Sequence, residues 1–314
     1  MSTLSDIQDR LETGISLRYI AESYTETSAK KLKEIRRDVE RNRAFFSELA
    51  SLYHAIKVVA AEKYHIFSQK NNKTAIVLIT SNYRFFGNLN AKLADFFAKE
   101  TSSRPGDYFI VGKAGAELLQ GMSLRGQGMS SRGAGGDVGI SGISFETVSF
   151  HKDLPTNTEL KSFVARLSPY KQVLVFYPEF KSILVQNPVV KDITEAQDIK
   201  EPNAPEHKNV IDALLGKHPD WSDDYIFEPR IENILEFFDA QMITILVEEA
   251  FLESELAKTA ARLVTMDEAQ IKAEEFVRVE NREFARAIVR MKNAHLLESF
   301  ISKQQKYVKG NLSM

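Results

Sequence analysis

The 314-residue sequence contains no cysteine. That excludes disulfides, thiolate nucleophiles and cysteine-ligated zinc, and it fits a reducing compartment. No apolar run reaches the roughly 18 residues that a membrane-spanning helix needs, so no direct membrane span is expected. The opening Met1-Ser2-Thr3-Leu4-Ser5-Asp6 lacks the basic flank and apolar stretch of a secretory signal. Charge of one sign is also missing: 41 lysines and arginines face 43 acidic residues, for a net charge of −2. Phosphate binding needs clustered positive charge, so a nucleic-acid partner is not expected. A further absence is local. Residues 230–309 hold neither glycine nor proline.

That uninterrupted run predicts one very long C-terminal helix, entered through Tyr225-Ile226-Phe227-Glu228-Pro229, with the proline suited to a first helical turn. At a rise of about 1.5 Å per residue, some 80 residues would extend about 120 Å and need a partner to bury an apolar face. The N-terminal region supplies one. Leu32, Ile35, Val39, Asn42, Phe46, Leu49, Tyr53, Ile56, Ala60, Lys63 and Phe67 alternate spacings of three and four, the period of a coiled-coil seam. Ile231, Leu235, Phe238, Met242, Ile245, Leu252, Leu256, Leu263 and Met266 answer in the same register. The two seams are expected to bury each other as an antiparallel pair.

The N-terminal helix is expected from about Ser5 to Phe67, with Ser5 and Asp6 as candidate caps. Gly14 weakens its first turns by roughly 1 kcal/mol relative to alanine. Leu17, Ile20, Tyr24 and Ser28 lead into Leu32 at a looser spacing, as a poorer start to the seam. The stretch Ala29 to Arg43 carries seven cations against three anions. It reads either as a solvated face laced with charge pairs or as an electropositive collar for acidic loops of a neighbour.

Between the helices the pattern changes. Thr74–Thr80 is a short, continuous apolar run, as in a strand buried on both faces. Asn88-Leu89-Asn90 opens a helix through Phe97, and Asp107–Gly112 gives a second strand before a helix near Ala114 to Leu119. Val148-Ser149-Phe150, a helix over 157–167 and Gln172–Tyr177 continue the alternation, which implies a parallel sheet with helices packed on it. The fold class is therefore α/β plus a long antiparallel coiled coil formed by the N- and C-terminal helices. Its domains are 1–68, 69–224 and 225–314. Two loops interrupt the middle: 121–142, with eight of the fifteen glycines, and 195–220, with three prolines.

Residues that would carry chemistry are scarce. The six histidines show no H-E-x-x-H pattern, the glycine-rich loop has no phosphate-binding fingerprint, and Gly121–Arg125 fails the nucleophile-elbow pattern. Carboxylate pairs such as Glu248-Glu249 and Glu274-Glu275 are expected to be solvated. No catalytic, metal or cofactor site is expected.

Several stretches resemble the γ subunit, the central stalk, of rotary F-type ATP synthases. Ala260-Ala261-Arg262-Leu263-Val264-Thr265-Met266-Asp267-Glu268-Ala269 is similar to the family's A-A-R-M-x-A-M-x-x-A run. Tyr225–Pro229 is similar to its Y-x-Y/F-E-P entry. Ser81–Asn90 keeps Ser81, Gly87, Leu89 and Asn90 of its S-D-R-G-L-C-G-G-L-N segment, and Gly112-Lys113-Ala114-Gly115 resembles its G-x-K-G turn. Val175-Phe176-Tyr177, with Phe180, Gln186 and Pro188, tracks its strand pair. The chain departs from the family where Ser23–Ala29 replaces an apolar stretch, where Phe284 and Ala285 align with an Arg-Gln pair that bonds the catalytic ring, and in a lysine-bearing end (Lys303, Lys306, Lys309).

The resemblance implies a non-catalytic rotor shaft without cofactors, in a hetero-oligomer with the α and β subunits of the catalytic ring, an ε subunit and a membrane c-ring. It would sit peripherally on the cytoplasmic side of an inner or plasma membrane. Partner contacts are expected at Lys30, Lys31, Arg36, Arg37, Gly87, Asn90, Tyr225, Phe227, Glu228, Arg262 and Met266. The alternatives are a γ-like scaffold of a divergent ATPase assembly and an enzyme using the α/β domain. Replacing Leu49 and Ile56 together by aspartate should lower the melting temperature of the purified chain; unchanged melting would remove the seam.

Overall fold

A computed structural model describes residues 3–64, 71–83, 85–102, 104–126, 145–194, 228 and 230–311. Its elements run α1 (Leu4–Tyr64), β1 (Asn71–Ile79), α2 (Leu89–Thr101), β2 (Asp107–Val111), α3 (Lys113–Gly126), β3 (Phe145–Val148), α4 (Asn157–Leu167), β4 (Tyr170–Phe180), β5 (Gln186–Asp192) and α5 (Ile231–Asn311). They form two compact units, Ser28–Arg262 and Met1–Thr27 with Leu263–Met314.

In the larger unit the strands are ordered β3-β2-β1-β4-β5. The first four are parallel and β5 is antiparallel to β4, which amends the all-parallel expectation: the short turn after Phe180 allows an antiparallel return, whereas a parallel one needs a crossover. The strand expected at 148–150 lies at 145–148, paired with β2. Alternation along β1 separates two cores. Ala75, Val77 and Ile79 face α4 and the α5 residues Ile243, Leu246, Val247, Ala250 and Phe251, whereas Ile76 and Leu78 face α2 and α3. Helix α4 begins with a complete capping box between Thr156 and Glu159.

The 121–142 loop begins later than its glycines suggest. Residues 121–126 continue α3, where Gly121 has open space around it; the remainder of that loop and the whole of 195–220 lie outside the described residues, as do Ala60, Lys63 and Phe67 of the seam as side chains. Within this unit the expected coiled coil is present. Ile35 and Val39 pack against Leu252 and Leu256, with Leu32 beside them, and Tyr53 bonds Asp239 across the pair. Leu49 and Ile56 are half-buried on the same seam.

The smaller unit pairs the first part of α1 with the second part of α5, again antiparallel: Arg10 binds Glu280 at 3.0 Å and Gly14 lies against Phe276 and Val277. Here two sequence expectations are corrected. The helix is capped by Thr3, whose hydroxyl accepts from the Asp6 N–H while the Asp6 carboxylate accepts from the Thr3 N–H, so Ser5 is not the cap. The buried positions are Ile7, Gly14 and Ala21, with Leu11, Arg18 and Thr25 half-buried between them, a regular three-four alternation. Leu17 and Ile20 are instead 54% and 52% exposed, and Tyr24 is exposed too. Small residues at the contact let the backbones approach, and the larger apolar ones are turned outward.

Gly14 therefore has a packing role. A Cβ there would lie 2.7 Å from Cδ1 of Phe276 and 3.1 Å from Cγ2 of Val277. The helix propensity lost to glycine is offset by the close contact it permits. A Gly14→Leu variant should unfold at lower denaturant, by about 1–3 kcal/mol, the usual cost of overpacking a filled contact. An unchanged midpoint would mean that the Phe276 ring swings aside freely.

Candidate partner interface

The phosphate-binding place of an α/β domain lies outside the carboxyl ends of its strands, at a helix N-terminus. Here the chain's own groups fill it. At the start of α3 the Gly115 N–H donates to the Thr80 hydroxyl at 3.0 Å, the Ala114 N–H to the Ser81 carbonyl at 3.0 Å, and the Lys113 N–H to the Asn82 side-chain oxygen at 3.2 Å. Gly112, at φ +94°, closes that turn so tightly that a Cβ would strike Thr80 at 2.7 Å. Beyond β1, the Lys258 ammonium reaches the Thr80 carbonyl at 3.4 Å. Among the described residues no group of three or more histidines or carboxylates could hold a metal ion.

What the larger unit does present is a network of ion pairs around α5. Lys258, only 1% exposed, lies 3.1 Å from Glu255 and 3.5 Å from Asp153, and Asp153 also accepts the Asn82 N–H at 2.6 Å. Lys31 of α1 bonds the other oxygen of Glu255. Burial alone would raise the Glu255 pKa, but Lys258 and Lys31 outweigh it and hold the carboxyl below its ordinary 4.5. One helical turn away, Arg43 binds Glu249 at 3.3 Å and also Glu253, while Lys191 of β5 reaches Glu249 at 2.8 Å. Burial and the Glu253 carboxylate push the Tyr177 hydroxyl far up. Glu249, expected to be solvated, is 9% exposed, because α5 is covered by α1 on one side and by the sheet on the other.

The eleven expected partner residues now divide. Lys31 is turned to Glu255, and Arg36 pairs with Glu40 at 3.2 Å along the exposed face, as does Arg41 with Asp38 at 2.7 Å. Lys30 and Arg37 are exposed and make no ion pair among the described residues. The reading of 29–43 as a face laced with charge pairs thus holds in part. Gly87, Asn90 and Arg262 converge on one turn. Gly87 takes φ +57°, the Asn90 amide donates to the Ser81 hydroxyl at 2.7 Å, and the Arg262 guanidinium stacks 4.4 Å over Phe86. Beside Phe86 in the same turn, Tyr83 and Phe85 are exposed, and Phe85 itself adopts φ +72°. Glu228 is exposed, Met266 is buried in the smaller unit, and Tyr225 and Phe227 lie outside the described residues. The buried α5 charges were missed in sequence; the cue was their fall on the turns of α5 nearest the apolar run Ile243–Val247.

The comparisons with known proteins agree with one another. A family model described as ATP synthase matches residues 3–287. An ATP synthase γ chain of Chlorobium phaeobacteroides (strain BS1) is 25% identical over 295 residues, covering 91% of this chain and 92% of its own length. One from Salinibacter ruber is 24% identical over 298 residues, with the same coverage. Among solved structures, the central stalk and c-ring of the Tetrahymena thermophila mitochondrial ATP synthase superposes with a TM-score of 0.52 at 17% identity, over 80% of this chain and 99% of that one. That last likeness concerns fold alone.

Replacing Lys258 by alanine leaves the buried Asp153 without its cation and Glu255 with Lys31 alone, and should cost about 3–5 kcal/mol in chemical denaturation. Because the Glu255 pKa is depressed on folding, its contribution is present above the ordinary carboxyl value of 4.5 and is lost as pH falls through the lower folded value. A Glu255→Gln chain should therefore melt lower than the parent near neutrality, and the gap should close as the pH drops below 4.5. A pH-independent gap would contradict the assignment.

Proposed function

We propose a mechanical role for a chain that belongs to the ATP synthase γ family: as the central-stalk subunit it carries torque between an ion-driven membrane ring and a ring of catalytic subunits. It performs no chemistry itself. The observation that carries this reading is the joining of the α/β domain to the α1–α5 pair through the buried part of α5. A stalk must pass a twist from a foot to a shaft without slipping, and helix–sheet packing with satisfied buried charges resists shear as surface contacts do not.

Torque becomes work only where the shaft contacts the conformations of its neighbours differently, since a partner that binds all conformations equally shifts none of them. The exposed cations Lys30 and Arg37, with Arg36 beside them, are assigned to acidic loops of the catalytic α and β subunits. The Gly87–Asn90 turn with Arg262 is assigned to the same ring, and so, separately, is Met266. Tyr225, Phe227 and Glu228 are assigned to the foot, against polar loops of the c-ring and beside an ε subunit. No helix among the described residues is long and apolar enough to cross a membrane, so attachment on the cytoplasmic face comes through these partners.

Affinity purification of the tagged chain from membranes should bring down catalytic and ring subunits in one complex. A preparation with no ATPase subunit would overturn the reading. In the intact complex, Glu228→Lys should leave ATP hydrolysis running while reducing hydrolysis-driven ion transport several-fold; equal loss of both would place Glu228 elsewhere.

A further inference from the structure

In the larger unit, α1, α4 and α5 meet around a groove of about 440 Å³, a volume typical of small-molecule sites. Asp38, Arg41, Asn42 and Phe45 fall three and four residues apart and share one face of α1, and Glu248, Phe251 and Leu252 do the same on α5. The start of α4 closes the third side with Leu154, Pro155 and Leu160. The floor is apolar, since Leu160, Phe251 and Leu252 are all buried. Phe45 and Leu154 stand exposed at the rim, on two different walls.

Two acceptors in this groove lack a donor. The Asn42 Oδ1 is buried with no hydrogen-bond partner, an arrangement that costs stability until a donor arrives. Glu248 is half-buried and makes neither an ion pair nor a hydrogen bond among the described residues. Burial raises its pKa above the ordinary 4.5, Arg41 draws it down and Asp38 raises it. Arg41 bonds Asp38 at 2.7 Å, so those two charges cancel and the groove is left with the one unbalanced carboxylate of Glu248. The N-terminus of α4 would attract an anion, but it is already taken up by its capping box, where Glu159 supplies the negative charge.

We infer that this groove binds a small organic monocation, a primary ammonium on an apolar body, with the ammonium at Glu248 and Asn42 and the body on the floor between Phe45 and Leu154. One cation matches one unbalanced carboxylate. An ammonium carries only donors, which suits a site whose open groups are acceptors. Phe45 and Phe251 are aromatic neighbours of the kind that favour an organic cation. A lysine reaching in from a neighbouring subunit would bring the same charge, but its thin stem would leave most of the apolar floor uncovered. All the lining residues belong to the larger unit, so the inference goes beyond the stalk reading and does not rest on it. A ligand held by α1, α4 and α5 together binds only the folded unit and stabilises it.

The test uses the purified full chain and three probes of one shape: phenethylammonium, phenethyl alcohol and hydrocinnamate, which are a cation, a neutral molecule and an anion. In calorimetric titration the ammonium should bind with a Kd of about 1 mM, about tenfold more tightly than the alcohol, with the anion weakest, and it should raise the melting temperature. Glu248→Gln should lower the ammonium to the affinity of the alcohol. Equal binding of ammonium and alcohol by the parent chain, or saturable binding of neither, would overturn the inference without recourse to a variant. A diazirine-bearing phenethylamine should, on irradiation, label peptides containing Phe45, Leu154 or Phe251, as mapped by mass spectrometry; labelling confined to other peptides would overturn it too. The same labelling is expected in the complex purified through this chain. Its loss there, with labelling of the free chain retained, would give the groove to a lysine or arginine of a neighbouring subunit and overturn the small-ligand assignment. A preparation that brings down no other subunit would count against the stalk reading alone, with the free chain still deciding the groove.

Discussion

The middle of α5 is the constraint on which the larger unit depends. From Met242 to Ala261 nearly every residue is buried, whichever way it points. Ile243, Leu246, Val247, Ala250 and Phe251 belong to the core under the sheet, while Leu252 and Leu256 belong to the contact with Ile35 and Val39. A helix apolar on one stripe needs one neighbour; one buried all round needs two, and α5 has the sheet and α1. Neither the domain nor the helix pair keeps its core without it.

Such a helix has no face left for water, so its charged residues are paired inside the protein. Glu249, Glu253, Glu255 and Lys258 are bonded to α1 through Arg43 and Lys31, and to the domain through Lys191, Tyr177 and Asp153. Replacing one member leaves its partner charged and unmatched, which makes the arrangement a lock on position more than a source of net stability. For a subunit that transmits torque, fixed position is the property that matters.

The seam from Leu32 to Ile56 was legible because large apolar side chains sit at its positions and little else in that stretch is apolar. The first turns of α1 misled for the opposite reason. Leu17, Ile20 and Tyr24 supply the apolar pattern while Gly14 and Ala21 make the contact, and a seam of small residues carries almost no hydrophobic signal. The strands of the sheet were readable from their apolar runs, apart from β3, where Phe145-Glu146-Thr147-Val148 is a short edge strand with only its last residue buried. The partner residues follow from the charge of 29–43 and from the family resemblance, and the geometry divides the cations: Lys31 is paired within the fold, whereas Lys30 and Arg37 are exposed. The charges on α5 were hidden because burial of a carboxylate depends on what lies opposite it in space, and neither Arg43 nor Lys191 is near Glu249 in the chain.

The central claim is that domain and helix pair move as one body within a larger machine. It is tested most directly by watching single complexes immobilised through their catalytic subunits, with a fluorescent rod attached to the α/β domain of this chain, during ATP hydrolysis. The account predicts stepwise rotation of the rod in one direction, stopping when ATP is withdrawn. A rod that stays still while the same complexes hydrolyse ATP at their full rate would contradict it.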